Sequence, residues 1–251
     1  MGQSIPLIIF LNNDGEEVDR ILGFYKAEQY LKMITDIYNG IDTYLSLKSQ
    51  YQLDNKNLSV LSKLSTKCKL NPEPDFCEEI YSNIATTRDG FKGNILFNAD
   101  WFFAKNKLEE DKPNLMIKLI ENHGKSSYSS DAYLAIINYY KLKDDSNSEA
   151  NMFKKFTDIF NDNPSILNQY AWRMAELKIN LDDALNKSDR AIELSFDNPS
   201  LQIYIIDTKS EILWMLGRID EAIKTINLAI DINPSDEYLI EQREKFFNSK
   251  K

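Results

Sequence analysis

With 251 residues and a formal net charge of −9, the chain has room for one large domain or two small ones, and it lacks the clustered positive charge of a broad nucleic-acid surface. Hydrophobic residues make up 43% and charged residues 27%, which argues for a folded chain rather than a disordered one, and no apolar run reaches the ~20 residues of a membrane span. Met1 is followed by neither a basic n-region nor a small-residue cleavage site, so the visible chain reads as soluble. Its compartment stays open: cytoplasmic, or exported (periplasmic) if a leader lies upstream.

The first element is a strand over Leu7–Leu11, apolar at every position, as in a strand covered on both faces. Pro6 cannot donate to a ladder and takes the strand's first position. Asn12, Asn13, Asp14 and Gly15 supply a turn. Val18, Ile21 and Phe24 mark a second strand, with a bulge expected at Gly23. A helix begins near Lys26, carries Tyr30, Leu31, Ile34, Ile37 and Tyr38 on one face, and closes at Gly40.

This succession of Ser4-Ile5-Pro6, apolar strand, Asp-Gly turn, "VDRILGFY" and amphipathic helix resembles the C-terminal half of a thioredoxin domain. The resemblance implies a cis proline at Pro6 and, at Ile5, backbone hydrogen bonds to a bound polypeptide. Leu7 stands where that family commonly has Thr. The family's Cys-x-x-Cys half is not in this chain, so no dithiol is present to attack or resolve a disulfide. Two readings stand side by side. In one, the chain is a fragment of a thiol–disulfide oxidoreductase, with a role in redox homeostasis, whose dithiol lies upstream of Met1. In the other, the ββα unit is complete and is covered by the helical region or by a second copy. A hairpin and one helix cover a single face of Leu7–Leu11, which leaves the other face and an edge open to self-association.

Beyond Gly40 the strand signal stops. Tyr44 to Leu53 reads as a polar linker or a short helix. Amphipathic helical patterns follow at about 56–68, 75–87, 92–108, 113–122, 130–142, 148–161, 165–178, 181–194, 200–216, 220–231 and 236–248. Cys68 and Cys77 match neither a redox nor a zinc spacing, and they lie among Leu58, Leu61, Leu64, Phe76 and Ile80. They are expected as buried small hydrophobes rather than as a disulfide. His123, the only histidine, sits before Gly124 at a helix C-terminus that suits its charge. With no clustered partner for it, no catalytic residue, metal site or cofactor is assigned.

"NPS" recurs at Asn163, Asn198 and Asn233, 35 residues apart. The segment "LWMLGRIDEAIKTINLAIDINP" resembles a tetratricopeptide repeat. That resemblance implies a turn at Gly217, close helix approach at Ser210 and Ala222, packing by Ile226, Ala229 and Ile230, and a stop at Pro234. One repeat earlier, Ala171, Leu181, Ala184, Ala191 and Ile192 give the same series. Ala184, Ala191 and Ile192 are 38 residues from Ala222, Ala229 and Ile230, four more than the family's usual 34. A third repeat, Asp131 to Pro164, is degenerate, keeping Phe156, Ile159 and Phe160 but not the small residues. The helices between 56 and 122 match no motif.

The expected organisation is therefore a partial thioredoxin-like ββα unit at 1–40, helical pairs without a motif at 41–125, and tetratricopeptide-like repeats at 126–251. A final helix carrying Tyr238, Leu239, Gln242 and Phe246 would cap the repeats. The fold class is mainly α, a helical solenoid in which about three or more pairs must stack to hide their apolar faces. The implied function is a non-catalytic scaffold holding a protein or peptide on its concave side; a purely structural assembly role is the weaker alternative. Asn168, Trp172, Arg173, Lys178 and Lys209 are the groove residues to weigh, read first as solvated or rim positions. Trp172 and Trp214 read first as packing between helices. The basic-and-asparagine clamp that some family members use on acidic tails is not evident at the matching positions.

Overall fold

The computed structural model describes residues 5–70 and 72–250, the side chains at 127 and 128 excepted. The chain divides into two compact units, the first ending at His123 and the second beginning at Gly124.

The first unit opens with β1 (Leu7–Leu11), paired antiparallel with β2 (Glu17–Leu22). Leu7 faces Leu22 and Ile9 faces Arg20; between Phe10 and Leu11 the register shifts, leaving Val18 as the extra residue. The bulge thus falls at Val18 and not at Gly23, whose N–H continues the ladder to the Pro6 carbonyl at 3.0 Å. β1 is not a strand covered on both faces. Leu7, Ile9 and Leu11 are 48%, 47% and 60% exposed, because among the described residues β1 pairs with β2 alone. β2 anchors the sheet: on its inner face Ile21 is buried and Asp19 is ion-paired with Lys67, while from the other face the Arg20 guanidinium donates to the Leu70 carbonyl at 3.1 Å.

There is no cis peptide bond among the described residues, so Pro6 is trans and the cis proline implied by the thioredoxin likeness is not there. What the structure supports at this end is a two-stranded sheet followed by a helix, and no more of a thioredoxin domain. That helix, α1 (Ala27–Tyr38), buries none of its residues, and Leu31 and Tyr38 stand in solvent.

Residues 44–53 form a helix, α2 (Tyr44–Leu53), because Thr43 caps it and Tyr44, Leu47 and Tyr51 recur at helical spacing on a buried face. With α3 (Leu58–Lys67), α4 (Pro74–Thr86) and α5 (Asn94–Glu109) it encloses one apolar core; α6 (Asn114–His123) packs on α5. Cys68 and Cys77 lie in that core, and they are joined as a disulfide, which corrects the expectation of two free thiols. The spacing is uninformative because the link depends on a chain reversal. α3 ends in a short 3-10 turn, α4 restarts with Pro74 at its first position, and the two Cα atoms come within 5.4 Å. Closing so short a loop restricts the unfolded chain by about 2–3 kcal/mol.

The second unit is entirely helical over its described residues: α7 (Ser127–Leu142), α8 (Ser146–Ile159), α9 (Pro164–Leu177), α10 (Leu181–Leu194), α11 (Pro199–Met215), α12 (Ile219–Ile232) and α13 (Glu237–Asn248). Side-chain oxygens of Ser126, Asp145, Asn163, Asn198 and Asp236 accept from backbone N–H groups of the first turns of α7, α8, α9, α11 and α13. The first two "NPS" triplets therefore start helices, with Pro at N1, whereas Asn233 ends α12.

Three helix pairs, α7–α8, α9–α10 and α11–α12, turn in one way. Asp144, Lys178 and Gly217 are left-handed, with φ of 55°, 56° and 73°. In each, the N–H of that residue reaches the carbonyl three positions back, and the next N–H reaches five back. This is the Schellman closure, which satisfies carbonyls that a helix end leaves open. Beyond the turns, Ala171, Ala184, Ala191, Ser210, Ala222 and Ala229 are fully buried, and Leu167, Ala191 and Ile205 form a core cluster joining α9, α10 and α11. Pro234 is exposed just past α12.

A left-handed lysine costs about 1 kcal/mol that glycine does not. An added Cβ at Gly217 would meet nothing within 4 Å, so its substitution carries the backbone term alone. Urea unfolding should show Lys178→Gly stabilising the chain by about 1 kcal/mol and Gly217→Ala destabilising it by a similar amount. A neutral or destabilising Lys178→Gly would contradict this equivalence.

Candidate functional site

The repeated turn fixes a common register, so residues equally far from Asp144, Lys178 and Gly217 lie at matching places on α7, α9 and α11. Ten positions before the turn stand Leu134, Asn168 and Asp207; six before it stand Asn138, Trp172 and Glu211. These rows share a helix face, since they are four residues apart. Seven before the turn stand Ile137, Ala171 and Ser210, all buried. The first pair thus has isoleucine where the other two have a small residue, which is why its sequence looks degenerate.

Ile137 also lines an open cleft of about 380 Å³ between α7 and α9, with Leu134, Asn138 and Lys141 on one wall and Gln169, Trp172 and Glu176 on the other. Phe153 and Glu149 of α8 contribute as well. Glu149 is buried, and it holds Arg173 of α9 through two hydrogen bonds of 2.6 and 3.0 Å. Hydrogen bonding to Glu149 is the main cause that pushes the Arg173 pKa up. Arg173 also donates to Glu176 at 2.9 Å, and Glu176 accepts from the Trp172 indole at 3.1 Å. The indole is thereby oriented while 43% of Trp172 stays exposed. The sequence suggests packing first for Trp172; the structure puts it on a cleft wall. Glu149 escapes a sequence reading, because nothing in the sequence marks a buried carboxylate before its arginine is known.

At the α11–α13 end the face is acidic. Asp207 accepts a hydrogen bond from the Tyr238 hydroxyl at 3.1 Å, and it has no ion pair among the described residues. Lys245 is committed to Glu211, with contacts of 2.8 and 2.6 Å. Burial pushes the Asp207 carboxyl up to about 6; the Tyr238 bond lowers it and the Glu211 charge raises it. The Tyr238 hydroxyl is pushed to about 12, by burial first and then by Asp207. Trp214 does pack between helices, tilted against Phe246 with its N–H donating to Ser249 at 2.9 Å.

The remaining residues weighed from the sequence fall in different places. Asn168 lies in the row between Leu134 and Asp207, its side-chain oxygen buried without a hydrogen-bond partner. Lys178 is a turn residue, and Lys209 is paired with Asp189 of α10 at 2.5 Å. Ile5 is exposed and Pro6 half-buried at the start of β1. In the first unit His123 ends α6 and meets Asp100 at 3.3 Å, and Asp100 also takes both arms of Arg88. Burial would raise the Asp100 carboxyl, but these bonds outweigh it and hold it below its usual value. Among the described residues no group of three or more His, Cys, Asp or Glu is arranged to hold a metal, and no helix is long and apolar enough to cross a membrane.

No protein-family model and no curated protein matches the sequence. Among solved structures, the chain is similar to YrrB, described as a TPR protein with an unusual peptide-binding site, with TM-score 0.52, 10% identity, and coverage of 79% of this chain and 98% of that one. Looser similarities reach TTC0263, a thermophilic TPR protein of Thermus thermophilus (TM-score 0.36, 14% identity, 88% and 95% covered), and the TPR2AB domain of yeast Sti1 in complex with pHSP90 (0.37, 11%, 89% and 95%). Those two scores are too low to carry an argument. The fold is a tetratricopeptide-like helical repeat array, preceded by a small two-stranded sheet.

Asp207 titrates near 3.8 when unfolded and near 6 in the fold, so the native state favours its neutral form. The stability this gives is complete below about pH 4 and is lost as pH rises through about 6. Asp207→Asn should therefore stabilise the chain by about 1–3 kcal/mol at pH 7 and change little at pH 4. Denaturation measured across that range would contradict the assignment if the variant were less stable than the parent at pH 7.

Proposed function

We propose that the second unit binds an extended polypeptide segment along the face shared by α7, α9, α11 and α13. The observation that carries this is the cleft between α7 and α9, where half-exposed Trp172 is held in place by Glu176 and backed by the buried Glu149–Arg173 pair. A fixed aromatic side chain beside apolar Leu134 and the amides of Asn138 and Gln169 suits a peptide, offering area to a side chain and hydrogen bonds to a backbone. Arrays of stacked helix pairs present such faces. The likeness to a peptide-binding repeat protein agrees with this reading.

The reading assigns binding and no chemistry to this chain. The only two cysteines are buried and joined, so they offer no accessible thiolate. The thioredoxin-type contact through Ile5 and Pro6 is not part of it. The Cys68–Cys77 link does bear on compartment: a disulfide persists where the surroundings are oxidising, which favours an exported protein over a cytoplasmic one.

The test is selection of random twelve-residue displayed peptides on the intact chain. Recurrent sequences should emerge, and their synthetic forms should bind Trp172→Ala about tenfold or more weakly, as expected when a central aromatic anchor is lost. Absence of any recurrent sequence, or equal binding to Trp172→Ala with its fold intact by circular dichroism, would overturn the proposal.

A further inference from the structure

We propose that the segment bound in this groove carries a lysine or arginine, seated against Asp207 between Tyr204 and Tyr238. This rests on the peptide-binding reading and adds the ligand's chemistry to it. Three features of the α11–α13 end support it. One is the unmet charge: Oδ2 of Asp207 accepts from Tyr238, Oδ1 accepts no hydrogen bond among the described residues, and the nearby Lys245 is spent on Glu211. A half-buried carboxylate with no cation in direct contact is costly; the Lys245 charge offsets part of that cost, while Glu211 and Asp236 add repulsion. An incoming cation removes both penalties.

The aromatic flanks are the second feature. Tyr204 precedes Asp207 by three residues on the same face of α11 and is 68% exposed, while Tyr238 reaches over from α13 and is 49% exposed. Tyrosine faces beside a carboxylate attract an ammonium or guanidinium group by cation–π contact as well as by charge. The two rings would sheathe the methylene stem of such a side chain, which accounts for their exposure.

The groove's polarity is the third. Its α7 end presents Leu134, Asn138 and Lys141, whereas the equivalent places on α11 are Asp207, Glu211 and Trp214. A basic residue is therefore steered to one end only. Neighbouring packed helices lie about 8–10 Å apart, so the cleft between α7 and α9 and Asp207 on α11 are separated by about one and a half such steps, roughly 12–15 Å, or about four residues of extended chain. The ligand should pair a large apolar side chain with a basic one at about that interval.

The probe is the same random twelve-residue displayed library, selected in parallel on the parent chain and on Asp207→Asn, at pH 7.5 and pH 5.0. On the parent at pH 7.5, lysine or arginine should be enriched about four residues from a large apolar residue. Selection on Asp207→Asn should lose the basic residue and keep the apolar one. A synthetic selected peptide should bind about tenfold more weakly to Asp207→Asn, or to the parent at pH 5.0, the scale of one lost partly buried charge pair. The groups facing Asp207 are Glu211 on α11, Asp236 at the N-cap of α13, and Tyr238 and Lys245 on α13, with Tyr204 one turn before it on α11, so the pH effect should vanish in Asp207→Asn. Peptides that need Trp172 but show no basic preference would overturn this inference and leave the groove reading standing. A basic preference retained by Asp207→Asn would also overturn it, since the chain's charge of −9 would then be attracting cations without this site. Peptides indifferent to Trp172 would overturn the groove reading itself.

Discussion

A pair of antiparallel helices carries more apolar surface than the pair alone can hide, and in the second unit everything else depends on how that surplus is covered. α9 packs on α10 and α11 on α12, and Ala171, Ala184, Ser210 and Ala222 on these helices are all fully buried. Small side chains let the backbones approach, and Leu167, Ala191 and Ile205 then carry the contact from one pair into the next. The left-handed turn completes the scheme, because it returns the chain antiparallel with its last carbonyls satisfied.

This also explains what can be read from the amino acids and what cannot. The helices of the second unit are legible to within about three residues at their ends, since caps such as Asn163 and Asn198 are local chemistry that side chains announce. The turns are legible only at Gly217. Asp144 and Lys178 adopt the same backbone against their own preference, so the strain that makes the three pairs equivalent also disguises two of them. The disulfide and the buried Glu149 are invisible for a different reason. Each needs a partner that only the fold brings near, Cys77 after a chain reversal and Arg173 on another helix, and no local pattern encodes such a meeting. β1 errs in the opposite direction. Its uniform apolarity suggests two covered faces, yet Leu7, Ile9 and Leu11 on one of them are exposed, and the amphipathic helix that follows the hairpin has no buried residue.

The groove residues show how stability and recognition pull apart. Asp207 sits where neutral packing would be more stable, and Trp172 leaves much of its ring in water. Features that weaken a fold locally are expected where binding is done, with the cost met by the well-packed elements around them. The Glu149–Arg173 pair belongs to the supporting set. It joins α8 to α9 at the wall of the cleft, and losing Arg173 would leave the buried Glu149 carboxylate unpaired at a cost of about 3–5 kcal/mol.

Native-state hydrogen exchange on the intact chain tests the stacking claim most directly. If neighbouring pairs depend on one another, the slowest amides of α9, α10, α11 and α12 should open together at one common free energy, while those of β1 and α1 exchange far faster. Separate opening energies for α9–α10 and α11–α12, or protection in α1 equal to theirs, would contradict it.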